Sequence, residues 1–247
     1  KRQYVKCAED VYYFINNYVK IVHVDHGIVP FAMWPFQREI IKAFEDNRFV
    51  ICKLSRQSGK STVVVCGYFL WYVLFHADVS VGILANKEST AIELLRRLKQ
   101  SYELLPMFLK QGILKWDQKL IMLANNARVR AESTSASAIR GDTFNILFLD
   151  EFAFVPNAEE FWATNYPTIS TGGRCIMVST PCGTANLYYK ICAQINQLLQ
   201  LNPDYNLFIL IIFPTILYFS KFSGRHWFIG ISRLIFFWCL FCFVINL

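Results

Sequence analysis

The spacing of apolar and polar positions changes along the chain, and the changes outline its elements. Residues 4 to 24 set Tyr, Val, Phe and Ile among polar residues at roughly helical spacing, which predicts an N-terminal helix. Pro30 and Pro35 punctuate a loop, and the stretch Phe36 to Phe44 then places Phe36, Ile40, Ile41 and Phe44 on one face of a second helix. The run Phe49-Val50-Ile51-Cys52 enters a polar turn ending Gly59-Lys60-Ser61, and the apolar segment Val63 to Phe75 is long enough for a buried helix. Val79 to Ala85 is almost continuously apolar, as expected of a strand buried on both faces. Asn86 to Leu105 reads as a helix with Ala91, Leu94, Leu95 and Leu98 on its apolar face, stopped by Pro106. Lys119 to Leu123 and Arg128 to Ala131 flank Asn125-Asn126 as a hairpin. A Ser/Thr-rich loop, Glu132 to Ala138, leads to Arg140-Gly141-Asp142. The strand Asn145 to Leu149 then ends in Asp150-Glu151, and a further strand from Arg174 runs into Ser179-Thr180-Pro181. Strands separated by helices, three of them ending in polar ligand candidates, make a doubly wound, mainly parallel α/β sheet the expected architecture.

Composition narrows this picture modestly. At 247 residues the chain can bury a substantial core, as one α/β domain or a domain with an appendage. A net charge of +7 fits a phosphate-rich partner but equally a solvated basic surface; the same pair of explanations covers the cluster Arg96, Arg97 and Lys99. Of eight cysteines, Cys52, Cys66 and Cys175 lie in apolar runs where buried free thiols are expected, and Cys239-x-x-Cys242 lacks the second pair a zinc site needs. His23, Asp25 and His26 stand together without further ligands nearby, so a solvated turn is expected there. The polar stretch Lys1 to Asp10 gives no expectation of a secretory leader, and a reducing compartment is the default.

The candidate chemistry sits at three strand ends. The first, Leu54 to Thr62, is a phosphate-binding loop: backbone N–H groups at a helix N-terminus favour an anion, Gly59 lets the backbone approach, Lys60 can reach the β- and γ-phosphates, and Ser61 can coordinate Mg²⁺. Leu54 stands where the full pattern G-x-x-x-x-G-K-[ST] has glycine. Asp150 and Glu151 form the second end. In a phosphate-loop protein they divide the work, Asp150 holding Mg²⁺ through its water shell and Glu151 orienting the attacking water. Ser179 and Thr180, at the third, stand where they could sense a γ-phosphate or simply end a strand. Gln37, about twenty residues before the loop, could bond the edges of adenine, although spacing does not separate that from an ordinary exposed glutamine.

Taken together, Phe36-Gln37-Arg38, Leu54-Ser55-Arg56-Gln57-Ser58-Gly59-Lys60-Ser61-Thr62, Val81 to Ala85, Arg140-Gly141, Leu149-Asp150-Glu151-Phe152-Ala153-Phe154-Val155-Pro156-Asn157 and Ser179-Thr180-Pro181 resemble the ATPase domain of the large terminase subunit of tailed phages, of the T4 type, over about residues 30 to 192. That family's loop departs from the glycine pattern at the same position. The resemblance implies a P-loop NTPase fold of the RecA/ASCE-like kind, with ATP and Mg²⁺ as ligands. It implies Gln37 at adenine, Ser55 to Thr62 around the phosphates, Arg56 as an arginine finger within the loop, and Ser61 with Asp150 at Mg²⁺. Glu151 would be the catalytic carboxylate, and Ser179-Thr180-Pro181 would couple hydrolysis to movement. Cys182 departs from the polar residue that often follows the proline.

On this basis residues 1–195 are expected to form the ATPase domain, with 1–35 an N-terminal helical or lid portion. The resemblance implies double-stranded DNA, a portal protein, a small terminase subunit and a homo-oligomeric ring as partners, in the bacterial host cytoplasm at the procapsid portal vertex. Residues 196–247 contain one acid, Asp204, and nine of the 22 Phe, so they cannot supply the clustered metal-binding acids of a terminase nuclease domain. The apolar runs Leu207 to Phe219 and Leu234 to Ile245 are shorter than the roughly 20 residues of a membrane span, and a membrane hairpin is not favoured. This aberrant apolar tail reads instead as translation past a disrupted reading frame, or as an intron-like or prophage remnant. The leading function is an ATP-hydrolysing DNA-packaging motor; the alternatives are a truncated nucleotide-binding remnant without turnover and another phosphate-loop translocase or helicase.

Overall fold

The computed structural model describes residues 1–23, 25–135, 142–170 and 172–201, with the backbone of 207–212. Its N-terminal portion corrects the expectation of one helix across residues 4 to 24. Helix α1 (Arg2–Glu9) stops at Asp10, whose extended backbone and side chain cap α2 (Val11–Tyr18) by accepting from the Tyr12 and Tyr13 N–H groups at 2.8 and 2.9 Å. The apolar spacing runs on across this cap, so periodicity alone did not reveal the break. Strands β1 (Lys20–His23) and β2 (Gly27–Pro30) then form an antiparallel hairpin, and α3 (Pro35–Asp46) starts on a proline and buries Ile40, Ile41 and Phe44.

The central layer begins with β3 (Phe49–Leu54). After the loop 55–59 a helix continues without interruption through α4 (Lys60–Thr62), a π-helical stretch Val63–Phe69 and α5 (Leu70–Phe75). There follow β4 (Ser80–Ala85), α6 (Glu88–Glu103), β5 (Ile113–Trp116), β6 (Leu120–Leu123), β7 (Arg128–Ser133), β8 (Ile146–Asp150), a 3-10 turn Phe152–Phe154, α7 (Ala158–Ser170), β9 (Arg174–Ser179), α8 (Leu187–Leu201) and β10 (Leu207–Ile212). Among the described residues the sheet runs β10-β3-β9-β8-β4-β7-β6-β5. Its first six strands are parallel; β6 and β5 continue it antiparallel.

Alternation along the strands fills two layers, as a doubly wound sheet requires. Val50, Cys52, Val81, Ile83, Phe148 and Val178 face the layer holding Ile40, Phe44, Val63, Phe69 and Leu95; Ile51, Leu84, Leu149, Cys175 and Met177 face Phe152, Phe161 and Tyr188. Phe148 meets Phe69 edge to face at 5.4 Å, and each such fully buried side chain contributes about 1.5–3 kcal/mol relative to exposure. Cys52, Cys66 and Cys175 are buried free thiols. Burial pushes Cys52 and Cys175 up to about 12 and Cys66 up to about 11.

The compact unit runs from Lys1 to Ile212, past residue 195: α8 continues to Leu201, and β10 pairs in parallel with β3 from Leu207↔Phe49 to Ile212↔Leu54. A uniformly apolar hexapeptide is what a parallel strand uses. Residues 213–247, with Cys239, Cys242 and the run Leu234 to Ile245, lie outside the described residues, as do Arg140 and Gly141. Asp142 is described and pairs with Arg130. Among the described residues no helix is long and apolar enough to cross a membrane.

Candidate functional site

The order β3-β9-β8 sets the site. Register pairs Lys53 with Ser179 and Asp150 with Val178, so the phosphate loop, the Ser179-Thr180 end and the acid pair leave the same sheet edge side by side. Ligands of open α/β sheets bind at this edge.

The loop is shaped by its own backbone. Ser58 Oγ donates to the Ser55 carbonyl at 3.0 Å, while Gln57 (φ 59°) and Gly59 (φ 72°) adopt left-handed conformations that turn the chain into the helix at Lys60. A Cβ on Gly59 would lie 2.9 Å from Gln37 Nε2. Gln37 is itself buried, 2% exposed, and its Oε1 accepts from the Trp34 N–H at 3.0 Å. The amide of Gln37 is therefore wedged between the start of α3 and the phosphate loop. Thr62 completes the first helical turn behind Lys60 and Ser61.

The two acids reach this turn separately. Ser61 Oγ donates to Asp150 Oδ1 at 3.0 Å, and Lys60 Nζ lies 2.7 Å from Glu151 Oε1. Consecutive residues of a regular strand point to opposite faces. Here the strand ends at Asp150, and Glu151 takes φ 50°, ψ 43°, which brings its carboxylate back to the loop. A non-glycine residue in that region stores of order 1–3 kcal/mol and persists only where its surroundings fix it. The Thr180 N–H and Oγ1 supply that fixing, donating to Glu151 Oε2 at 3.0 and 2.9 Å, with Ser179 Oγ at 3.4 Å. Ser179 Oγ also accepts from the Ala153 N–H at 3.1 Å.

The acids differ in protonation tendency. Burial pushes Asp150 up to about 6, reinforced by the Glu151 charge and opposed by the Ser61 hydrogen bond. Burial acts in the same direction on Glu151, but the Lys60 ion pair and the Thr180 hydrogen bonds outweigh it and hold its carboxyl below the usual range.

The structure thus brings Gln37, Ser55, Ser58, Gly59, Lys60, Ser61, Asp150, Glu151, Ser179 and Thr180 into one connected cluster. Arg56 is exposed on the loop and lies with Cζ 5.9 Å from the ring of Phe154, a residue that sequence reasoning left without a role. The only signal for it was an aromatic three positions beyond the acid pair. Arg96 and Arg97 share Glu93 on their own helix, whose carboxyl the Arg96 hydrogen bond helps hold at about 2. His23 and His26 stack at 4.9 Å in the exposed hairpin turn. A cavity of about 360 Å³ opens further along the same edge, lined by Asn86, Ser133, Thr134, Asn157, Glu160 and Phe161, and includes none of the cluster's residues.

A family described as terminase large subunit, T4likevirus-type, N-terminal matches residues 51–197. The structure is similar to the large terminase of bacteriophage HK97, with a TM-score of 0.66 and 20% identity over 83% of this chain and 43% of that one. A mutant ATPase domain of the Thermus phage P74-26 large terminase gives 0.59 and 19% over 74% of this chain and 82% of that one. The large terminase of a thermophilic bacteriophage, in complex with ADP, gives 0.55 and 16% over 78% and 51%. The chain spans less than half the length of the HK97 protein, and at these identities the likeness shows the fold.

Proposed function

The chain belongs to the T4-like family of terminase large subunits, matching its N-terminal region, and from that premise we propose that it is an ATP-hydrolysing motor domain that drives double-stranded DNA into a procapsid. The observation that carries the proposal is the pair of contacts from adjacent loop residues to adjacent acids, Lys60 to Glu151 and Ser61 to Asp150. The complexes of the thermophilic phage protein with ADP and with ATP-γ-S support nucleotide binding by this chain.

In this reading residues 55–62 cradle the phosphates with backbone N–H groups, and Gln37 holds the adenine side of the loop. Lys60 exchanges Glu151 for the β- and γ-phosphates as ATP enters. Released from the ammonium but still held by Thr180, Glu151 orients a water in line with the γ-phosphorus; the water oxygen bonds to that phosphorus as its bond to the β–γ bridging oxygen breaks, a water proton passes to a γ-phosphoryl oxygen, and ADP and inorganic phosphate leave. Arg56 and Lys60 neutralise charge on the γ-phosphoryl oxygens. Ser61 and Asp150 suit Mg²⁺: they offer a hydroxyl and a carboxylate, hard oxygen donors, and among the described residues the buried Asp150 carboxyl has only the neutral Ser61 hydroxyl bonded to it. When bound there, Mg²⁺ would supply positive charge that offsets the phosphate charge. Ser179-Thr180-Pro181 passes the change at Glu151 on to movement.

The portal protein, the small terminase subunit and further copies in a ring are the partners this function requires, at the portal vertex in the host cytoplasm. Phosphate release by the whole chain, measured with and without double-stranded DNA, tests the proposal. Mg²⁺-dependent ATP hydrolysis that DNA accelerates is the expected result. ATP binding without turnover under either condition would favour a nucleotide-binding remnant instead.

A further inference from the structure

Phe154 takes no part in the roles above, yet it stands where the phosphate loop meets the acid-pair turn. Its N–H donates to the Glu151 carbonyl at 3.0 Å, closing the turn directly behind the acid. The turn is rigidly seated: Phe152 and Ala153 are buried, and the Ala153 N–H donates to Ser179 Oγ. Arg56 has the opposite setting, a long side chain on an exposed loop beside the left-handed Gln57. Its guanidinium lies over the Phe154 ring at 5.9 Å.

From this contact we propose that Phe154 is a positioning residue, holding the Arg56 guanidinium on the acid-pair side of the cradle before the γ-phosphate arrives. The inference rests on the proposed hydrolysis at this site. A cation–π contact at an exposed position favours the held rotamer by roughly two- to fivefold, enough to narrow the arginine's conformations. It is also weak enough to release. A carboxylate in the ring's place would form a charge-assisted bond and compete with phosphate for the same guanidinium. A neutral aromatic face orients the cation without that competition.

Steady-state hydrolysis by Phe154→Leu, Phe154→Trp, Arg56→Ala and the Phe154→Leu/Arg56→Ala double variant tests this. Leucine keeps an apolar group in the layer and removes the ring face. We expect kcat to fall about two- to fivefold in Phe154→Leu with KM for ATP unchanged, to stay near wild type in Phe154→Trp, and to show no further loss from Phe154→Leu once Arg56 is alanine. In ¹⁵N-arginine spectra of the nucleotide-free chain, the Arg56 Nε–H resonance should carry an upfield ring-current shift that Phe154→Leu abolishes. An unchanged or raised kcat in Phe154→Leu, an equal loss in Phe154→Trp, the same loss in the Arg56→Ala background, or no ring-current shift in the wild type would each overturn the proposal. Glu151→Gln measured in parallel separates the two levels. If Glu151→Gln still turns over, the hydrolytic reading fails; if it is inactive while Phe154→Leu behaves as wild type, only the positioning role fails.

Discussion

Lys60 Nζ and Glu151 Oε1 lie 2.7 Å apart, so the lysine that would bind phosphate is paired in this structure with the acid that would direct water. Lys60 is nearly buried, 6% exposed, and its ammonium is neutralised by that carboxylate. A buried ammonium left without a counter-charge is strongly disfavoured. On the proposed function, phosphate would enter as Glu151 is given up, which would link filling of the cradle to release of the acid.

In that reading Glu151, once released, would depend on Thr180 for its orientation. Thr180→Val removes the Oγ1 donor at 2.9 Å and leaves the backbone N–H in place. A hydrogen bond to a charged group contributes about 1.5–3 kcal/mol, so kcat should drop roughly ten- to hundredfold with little change in KM for ATP. Thr180→Ser, which keeps the hydroxyl, should recover most of the rate in the same phosphate-release assay.

Gly59 is constrained twice, by φ 72° and by Gln37 Nε2 at 2.9 Å from where a Cβ would stand. Alanine in the left-handed region costs about 1–2 kcal/mol, and the close contact adds to it. Urea unfolding of Gly59→Ala should show a loss of about 1–3 kcal/mol. Measured in a Gln37→Ala background, with Gln37→Ala as the reference because it loses its own bond to the Trp34 N–H, Gly59→Ala should cost only the backbone part.

Asp150 makes the nucleotide-free, metal-free protein sensitive to pH. Its carboxyl is raised from 3.8 to about 6 in the folded chain, so the folded state binds the proton more tightly than the unfolded state. The stability this provides is full below about pH 4 and is lost as pH rises through about 6. Asp150→Asn carries no charge to bury. Thermal and urea melts should show it near wild type at pH 4 and more stable by about 2–3 kcal/mol at pH 8. Glu151, held low by Lys60, changes in the opposite sense at lower pH and is common to both proteins.

Much of this architecture was legible because its strands are buried on both faces and therefore read as unbroken apolar runs. Val79 to Ala85 and Asn145 to Leu149 are examples, and their polar ends mark the sheet edge that carries the candidate site. Other features are decided by single side chains or by distant pairing. The break at Asp10 depends on one capping carboxylate within a continuous apolar period. β5 carries exposed Ile113 and Leu114 at the sheet edge, where no buried face imposes alternation. Leu207–Ile212 reads as the start of an apolar tail because a parallel strand and a membrane-compatible run share the same composition, and only pairing with β3 distinguishes them. Within the site, residue types announced the loop and the acids. The Lys60–Glu151 pair, the hold of Thr180 on Glu151 and the contact of Arg56 with Phe154 join segments far apart in sequence through one left-handed residue, which no local pattern encodes.

ATP affinity and ATP turnover measured together in Glu151→Gln test the convergence of the three strand ends most directly. The substitution keeps the side chain's size and removes the charge that both pairs with Lys60 and would direct water. Binding should stay equal to wild type or become tighter, because Lys60 no longer has to leave a carboxylate. Turnover should fall by a factor on the order of 10² to 10⁴. Hydrolysis within tenfold of wild type would contradict the account, since Glu151 would then not be the group that acts on the water.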